Sequence, residues 1–315
     1  MKVLSFALLM LSCSYPNAKE NDNCGAIRIA KFKGDRACAI SYTFDDGFKE
    51  HYTLVALEME KRNMRGTFWI NGASVGKDTT RVTWEELKEM SESGHEISNH
   101  GWAHKNFKRH TLEEIKEDIY KNDSAIFLHT GIMPRTFCYP NNVKTPEGIE
   151  IASENRIGTR LKQRSIGSKV TPKILDEWVE TLIETNDWGV GMTHGITYGY
   201  DAFINPLYFW EHLDRVNENL DKIWVGTFYE VMAYTKEHDN TLLRIDKKKN
   251  HIVVTPQCSL DKNLFVEPLT MVVDLIGHVK DIQVKQGKNS LHVEIRNKKV
   301  MFDFNPHGGP VTIYF

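Results

Sequence analysis

Ser41-Tyr-Thr-Phe-Asp-Asp-Gly47 ends an apolar, strand-forming run that starts at Ala37 and carries two adjacent carboxylates, Asp45 and Asp46, to its end. Gly47 lets the chain turn sharply there. Neighbouring acids repel, so the pair costs stability unless the surroundings divide their roles. The useful division puts one carboxylate on a metal ion and leaves the other free to move a proton. Further along, His100-Gly-Trp-Ala-His104 supplies what such an ion needs. Histidines four apart share one face of a helical turn, so the spacing predicts that His100 and His104 grip one ion together. With Asp46 they form an Asp/His set of the kind that holds a catalytic zinc with a position open for water.

Working outward, strand-like segments at 38–44, 66–70, 95–98, 136–139, 157–160, 189–193 and 222–226 are each followed by a helical stretch, the fifth after a longer loop. Thr83-Trp-Glu-Glu86, Thr111-Leu-Glu-Glu114 and Thr227-Phe-Tyr-Glu230 are capping boxes that mark helix starts. Pro146, Pro172 and Pro206 sit where a first helical turn tolerates a missing N–H. The pattern predicts an α/β unit over 25–240 with a parallel sheet. Asp45 and Asp46 follow the first strand, His100 and His104 the third, and His194 the sixth. Strand ends this far apart in order meet in a barrel and separate in an open sheet, so the expectation is an irregular (β/α)7 barrel. Residues 241–315 switch to short alternating runs and read as a small all-β, sandwich-like unit.

The chain has 315 residues, 41% hydrophobic and 26% charged, with a formal net charge of -2. That balance, with only Lys247-Lys248-Lys249 as a basic run, gives no footing for nucleic acid. Lys2 and the apolar stretch 3–11 read as an export signal within residues 1–18, too short to span a bilayer. Leu9-Met10-Leu11-Ser12-Cys13 resembles a bacterial lipobox, which would lipidate Cys13 and make an N-terminal lipid the means of membrane attachment. The expected location is the periplasm or the outer membrane of a bacterium. Cys24, Cys38, Cys138 and Cys258 match no zinc spacing, and Cys38 and Cys138 fall in apolar runs that predict burial. His95-Glu96 begins like a thermolysin-type signature, but the next histidine comes one residue too late.

Thr43-Phe-Asp-Asp-Gly47 and Gly94-His-Glu-Ile-Ser-Asn-His100, with His104, strongly resemble the first two motifs of the NodB-homology polysaccharide deacetylases, carbohydrate esterase family four. Met192-Thr-His194 resembles that family's late histidine motif, and the likeness runs over residues 36–236. The resemblance implies an irregular (β/α) barrel and a divalent metal, usually zinc, on Asp46, His100 and His104. It also implies Asp45 as general base, His194 as general acid, and hydrolysis of N- or O-acetyl groups on a glycan. Two positions depart from the family: Cys138 stands where an arginine is expected and Asn141 where a tyrosine is. Arg160, at the end of the fifth strand, is the expected substitute for the arginine. Asp187-Trp188 matches a fourth motif in residue type but precedes its strand, at the far end of the barrel. Gly101 replaces a hydroxyl residue, which would loosen the histidine loop. Trp102, Tyr139, Asn141 and Arg160 are the candidate substrate or oxyanion contacts, and the segment from Gly195 to Asn205 reads as a mobile, substrate-facing loop. The altered positions keep open the reading of a carbohydrate-binding protein that has lost the chemistry, and the work of related barrels keeps open a metal-dependent hydrolase of small amides or ureides.

Overall fold

The computed structural model describes residues 24–277 and 281–315; the expected export signal and Cys13 lie outside them. After β1 (Cys24–Ile29), β2 (Cys38–Asp45) leads into a π-helical turn and α1 (Leu57–Glu60). The repeats continue as β3 (Thr67–Ile70), α2 (Trp84–Glu92), β4 (Glu96–Asn99), α3 (Leu112–Thr130), β5 (Thr136–Phe137) and α4 (Pro146–Ser153). Then come β6 (Gly158–Thr159), β7 (Arg164–Ser165), α5 (Pro172–Thr185), β8 (Trp188–Thr193), α6 (Leu207–Asn217), β9 (Ile223–Val225) and α7 (Phe228–Asp239). All seven expected strands are present, and the two-residue β7 is an addition. The three capping boxes at Thr83, Thr111 and Thr227 close as the sequence predicts.

Every pairing in this sheet is parallel, in the order β6-β5-β4-β3-β2-β8-β7. The central β2 is buried along its whole length, as a strand covered on both faces must be. One edge pairs with β8; the other is shared by β9 at Cys38–Ile40 and β3 at Thr43–Asp45. No ladder joins β6 to β7 among the described residues, so the barrel is incomplete. Residues alternate faces along β2. Ile40, Tyr42 and Phe44 pack outward in the main core with Phe68, Leu87 and Leu213. Ser41, Thr43 and Asp45 face inward. Register sets the site: Asp45 lies beside Trp69, Ile70 beside Asn99, Asn99 beside Phe137, Phe137 beside Thr159, and Phe44 beside Thr193. The residues at or just past these pairs, Asp45, His100, Cys138, Arg160 and His194, therefore end on one level.

The C-terminal region is all β: β10 (Thr241–Lys247), β11 (His251–Cys258), β12 (Leu269–Leu275), β13 (Gln283–Gln286), β14 (Asn289–Ser290), β15 (Glu294–Arg296), β16 (Lys299–Phe304) and β17 (Val311–Tyr314). Two antiparallel sheets, β1-β12-β16-β15 and β10-β11-β17-β13-β14, enclose Val254, Met271, Phe302 and Ile313. Strand β1, which precedes the barrel in sequence, thus belongs to this sandwich. Sequence pattern alone missed it because its partner β12 lies more than two hundred residues away. The Tyr234 hydroxyl of α7 donates to Ala30 O (2.9 Å) and accepts from Thr270 N (3.2 Å), tying the sandwich to the barrel. No helix among the described residues is long and apolar enough to cross a membrane.

Candidate active site

Asp45 is the last residue of β2 and is 3% exposed. Arg160, equally buried, meets it two-on-two: Nη1 to Oδ1 at 2.8 Å and Nη2 to Oδ2 at 2.5 Å. Nη1 also donates to Thr43 Oγ1 (2.7 Å), and the guanidinium lies 5.6 Å from the Trp69 ring centroid. Burial works against charge on Asp45, yet Arg160, with His100 and His194, holds its carboxyl down at about 2. The charge that the sequence missed at Cys138 thus arrives from the neighbouring strand end. Cys138 itself is buried, its thiol pushed well up by that burial, and its Sγ donates weakly to Asp45 Oδ2 at 3.9 Å.

Asp46 turns the chain in the left-handed region, φ 75°, followed by Gly47 at 63°. Asp is among the residue types that tolerate this conformation. The turn is held by Asp46 N donating to Trp69 O (3.0 Å) and Arg81 Nη1 donating to Asp46 O (2.7 Å). Asp46 Oδ1 lies 3.6 Å from His100 Nε2 and 3.8 Å from His104 Nε2, and it is buried without a hydrogen-bond partner. His100 Nδ1 stands 2.8 Å from the Cys138 carbonyl, an acceptor only, which fixes the proton on Nδ1 and leaves the Nε2 lone pair aimed at a carboxylate. Lone pair against anion is unfavourable unless a cation lies between them. The donor set Asp46, His100 and His104 therefore fits a divalent ion. A second cluster, Asp45, His100 and Cys138, fits poorly because Arg160 occupies Asp45 and the Cys138 thiol stays protonated.

The histidine pair is not helical. His100 and His104 sit in a loop after β4, with Gly101 at φ 76° and His104 at φ 54°, so the chain curls back on itself. The expected helical turn is replaced by these two left-handed residues, which bring the rings to 4.8 Å. The loop is also not loosened by Gly101. Gly101 N donates to Asn99 Oδ1 (2.7 Å) and Ala103 N to Asp118 Oδ1 (2.8 Å), and a Cβ on residue 101 would meet Asp118 Oδ2 at 2.6 Å.

His194 follows β8, with Nε2 4.0 Å from Asp46 Oδ2. Its Nδ1 is buried with no partner among the described residues, in keeping with the absence of a recognisable fourth motif. Two residues that sequence reading passed over hold this segment. The buried Glu50 accepts from Ile196 N and Thr197 N, and His51 Nε2 donates to His194 O (2.6 Å). Both follow the Asp-Asp-Gly turn, and that proximity was the available signal. The segment from Gly195 to Asn205 is consequently anchored: Thr193 Oγ1 bonds Gly195 O and Asp201 O, and Phe203 is buried. Within it Tyr200 is 77% exposed, with its ring 5.1 Å from that of His194.

These groups line a cleft of about 470 Å³ together with Tyr139, Asn141, Asn142, Gln163, Met192 and Tyr200. Tyr139, Asn141 and Arg160 are thus where the sequence reading expects them. Trp102 is not: its ring packs over Gly72, close enough to forbid a Cβ there, with Lys121 Nζ 4.4 Å above it. The reversed loop turns it toward α3 and away from the cleft. Trp69 is buried beneath Arg160, and Trp188 lies at the opposite end of the sheet, bonded to Ser41 Oγ. His95 is a core residue between Gly66 N and Glu60.

The strand ends of this parallel, barrel-like α/β unit thus bring together Asp46, His100 and His104, the buried Asp45–Arg160 pair and His194. Residues 33–157 match the family described as polysaccharide deacetylase. The peptidoglycan-N-acetylglucosamine deacetylase of Listeria monocytogenes is 33% identical over 102 residues, 32% of this chain and 21% of that protein. The peptidoglycan-N-acetylmuramic acid deacetylase of Bacillus subtilis is 26% identical over 166 residues, 52% of this chain and 54% of that protein. The chain therefore spans about half or less of either relative. A gellan lyase from Bacillus sp is 24% identical over 307 residues, 84% of this chain but 12% of the lyase. Among solved structures, the esterase domain of a multidomain xylanase from a Trinervitermes trinervoides hindgut metagenome superposes with a TM-score of 0.47 at 18% identity, covering 62% of this chain and 89% of that one.

Proposed function

We propose that this protein is a metal-dependent carbohydrate deacetylase that removes N- or O-acetyl groups from a glycan. The observation that carries the reading is one cleft holding both a ligand set with an unpartnered anion, Asp46 with His100 and His104, and a separate buried carboxylate, Asp45, kept ionised by Arg160. Zinc is the ion best suited to one carboxylate and two imidazoles, and the chemistry it supplies when bound is Lewis acidity toward water and the acetyl carbonyl. Asp45, ionised at any working pH, accepts the proton of the attacking water at its carboxylate. Arg160 fixes the plane of that carboxylate and prevents its protonation by solvent. His194, at the opposite wall, donates a proton to the departing sugar nitrogen or oxygen. Asn141 and Tyr139 line the face where the acyl group would sit. Of the two departures that motivate the binding-protein reading, Arg160 answers the one at Cys138 by supplying the missing charge, and Asn141 stays as the other.

Export is part of the same proposal, with a signal in residues 1–18 and lipid on Cys13; fractionation of expressing cells, with Cys13→Ala as control, tests it. For the chemistry, acetate release from acetylated glycans and a chromogenic aryl acetate is the measurement. Chelation should abolish it and zinc restore it, while Asp45→Asn should lower kcat about 10³-fold. Activity that survives both treatments sinks the proposal. Cleavage of ureides without acetate release from any glycan would favour the small-amide alternative.

A further inference from the structure

We propose that Glu50 and His51 are positioning residues for the proton donor: they aim His194 by holding its carbonyl and the amides just beyond it, in place of the hydrogen bond that its ring lacks. The inference rests on the deacetylase reading, in which His194 protonates the leaving group, and adds the groups that orient it.

An imidazole that passes protons is ordinarily oriented by a hydrogen bond at its second nitrogen. His194 has none: its Nδ1 is buried without a partner among the described residues, and its Nε2 faces Asp46 Oδ2 at 4.0 Å. The Tyr200 ring that meets it edge-on is itself mostly exposed and restrains it little. The aim of the imidazole therefore depends on where the main chain places its Cα and Cβ. The sheet holds that chain as far as Thr193, which lies beside Phe44. There the ladder ends, and two consecutive residues from the segment after the Asp-Asp-Gly turn take over.

His51 is buried, with its ring boxed by Phe44, Phe48 and Phe68 at centroid distances of 5.7, 5.8 and 5.4 Å. That burial pushes its pKa down to about 4, so the ring is neutral and carries one N–H. Its Nε2 lies 2.6 Å from the His194 carbonyl, which can only accept, so the single proton of His51 is spent there. Glu50, also buried, accepts from Ile196 N (2.5 Å), Thr197 N (3.0 Å) and Thr197 Oγ1 (2.5 Å). Gly195 is required between these anchors, because a Cβ there would meet Tyr198 O at 1.9 Å and Glu50 Oε1 at 2.7 Å. Taking a carboxylate and an imidazole out of water is costly, and apolar side chains would pack the same space without that cost. Their donors and acceptors instead converge on the stretch that carries the donor imidazole. His51 also opens the π-helical turn His51–Ala56, a rare backbone form that recurs at functional sites. One excursion of chain after β2 thus supplies the proton acceptor Asp45, the ligand Asp46 and the hold on the proton donor.

The test is the dependence of kcat/KM on the leaving group, measured with the full chain on a series running from nitrophenyl acetate through alkyl acetates to acetylated glycans. Nitrophenolate departs without a proton, whereas an alkoxide or an amine needs one, so a role that acts through the proton donor changes the slope of the series. His51→Leu and Glu50→Gln should each lower kcat/KM at the poor-leaving-group end about 100-fold, and at the nitrophenyl end much less. A Gln amide can donate to the same carbonyl, so His51→Gln should recover most of the loss. In a His194→Ala background neither substitution should lower the poor end further, since the group they aim is gone. Thermal melting verifies that each variant is folded; where His51→Leu is not, Glu50→Gln, which keeps the side-chain volume, decides the matter. A uniform fall across all leaving groups, or a full further loss on top of His194→Ala, makes the pair a mere scaffold for the loop. Either result overturns the inference and leaves the deacetylase reading intact. No hydrolysis of any acetyl ester or glycan by the wild type overturns both.

Discussion

The two ends of the parallel sheet each hold a carboxylate, Asp45 buried and Glu96 half-buried, and treat it in opposite ways. At the C-terminal end, Asp45 sits in a two-on-two pair with Arg160 and titrates at about 2. At the N-terminal end, Glu96 opens β4 and is held by neutral donors: Thr67 Oγ1 (2.8 Å), Tyr229 N (2.8 Å) and Thr136 Oγ1. Burial lifts its carboxyl to about 7, although those hydrogen bonds pull the other way. Desolvation acts on both groups in the same sense. What separates them is a full positive charge at contact distance, which outweighs any number of hydroxyl and amide donors the fold can bring to Glu96.

Removing that charge should have the largest effect. Arg160→Met leaves Asp45 buried beside Asp46 with no counter-charge, so its carboxyl should rise toward the behaviour of Glu96. Deacetylation at neutral pH should fall about 10³-fold, and unfolding in urea should reveal a loss of about 3–5 kcal/mol, the usual result of orphaning a buried ion. The acid limb of the rate profile should move up in pH. A variant within tenfold of wild-type activity would mean that Asp45 is tuned by something other than Arg160.

The other end gives a pH signature of defined sign. Glu96 titrates at about 7 in the folded protein against 4.5 for the free residue, so between those values the native state holds the extra proton. Its stabilising contribution is complete below pH 4.5 and declines as pH rises through 7, by at most about 3 kcal/mol. Glu96→Gln keeps the shape and removes the titration. The difference in melting temperature between the two proteins should shift in favour of the variant as pH rises from 5 to 8; parallel curves would show that Glu96 ionises freely in the fold.

The two ends were also unequally legible. The Asp-Asp-Gly turn, the histidine spacing and the strand punctuation are local signals, and they located Asp45, Asp46, His100, His104 and His194 and all seven strands. Arg160 was foreseeable only as the next strand end, since its pairing spans 115 positions. Glu50 and His51 carry no motif, and their task, holding the His194 segment, exists only in three dimensions. Helical spacing misread the loop at 100–104, because a four-residue interval cannot distinguish a helix from a chain reversed by two left-handed residues. Trp102, expected at the mouth as an aromatic residue suited to stacking on sugar, packs over Gly72 instead. Strand β1 was missed for a related reason: its partner is at the other end of the chain.

The smallest expected effect isolates what that reversed loop contributes. Gly101→Ala places a side chain at φ 76°, where an L-residue costs about 1–2 kcal/mol. Its Cβ also meets Asp118 Oδ2 at 2.6 Å, and that carboxylate holds Ala103 N in the loop between His100 and His104. Gly76→Ala is the control, since its φ of 67° carries the same strain with nothing within 4 Å of the new atom. Both variants should lose similar backbone energy. Only Gly101→Ala should also displace Asp118, and titration calorimetry with Zn2+ should then find weaker binding in that variant alone. Equal zinc affinity in the two would show that the ligand set at this end tolerates movement of its loop, and that the charges around Asp45, more than the backbone beneath His100 and His104, set the geometry of the site.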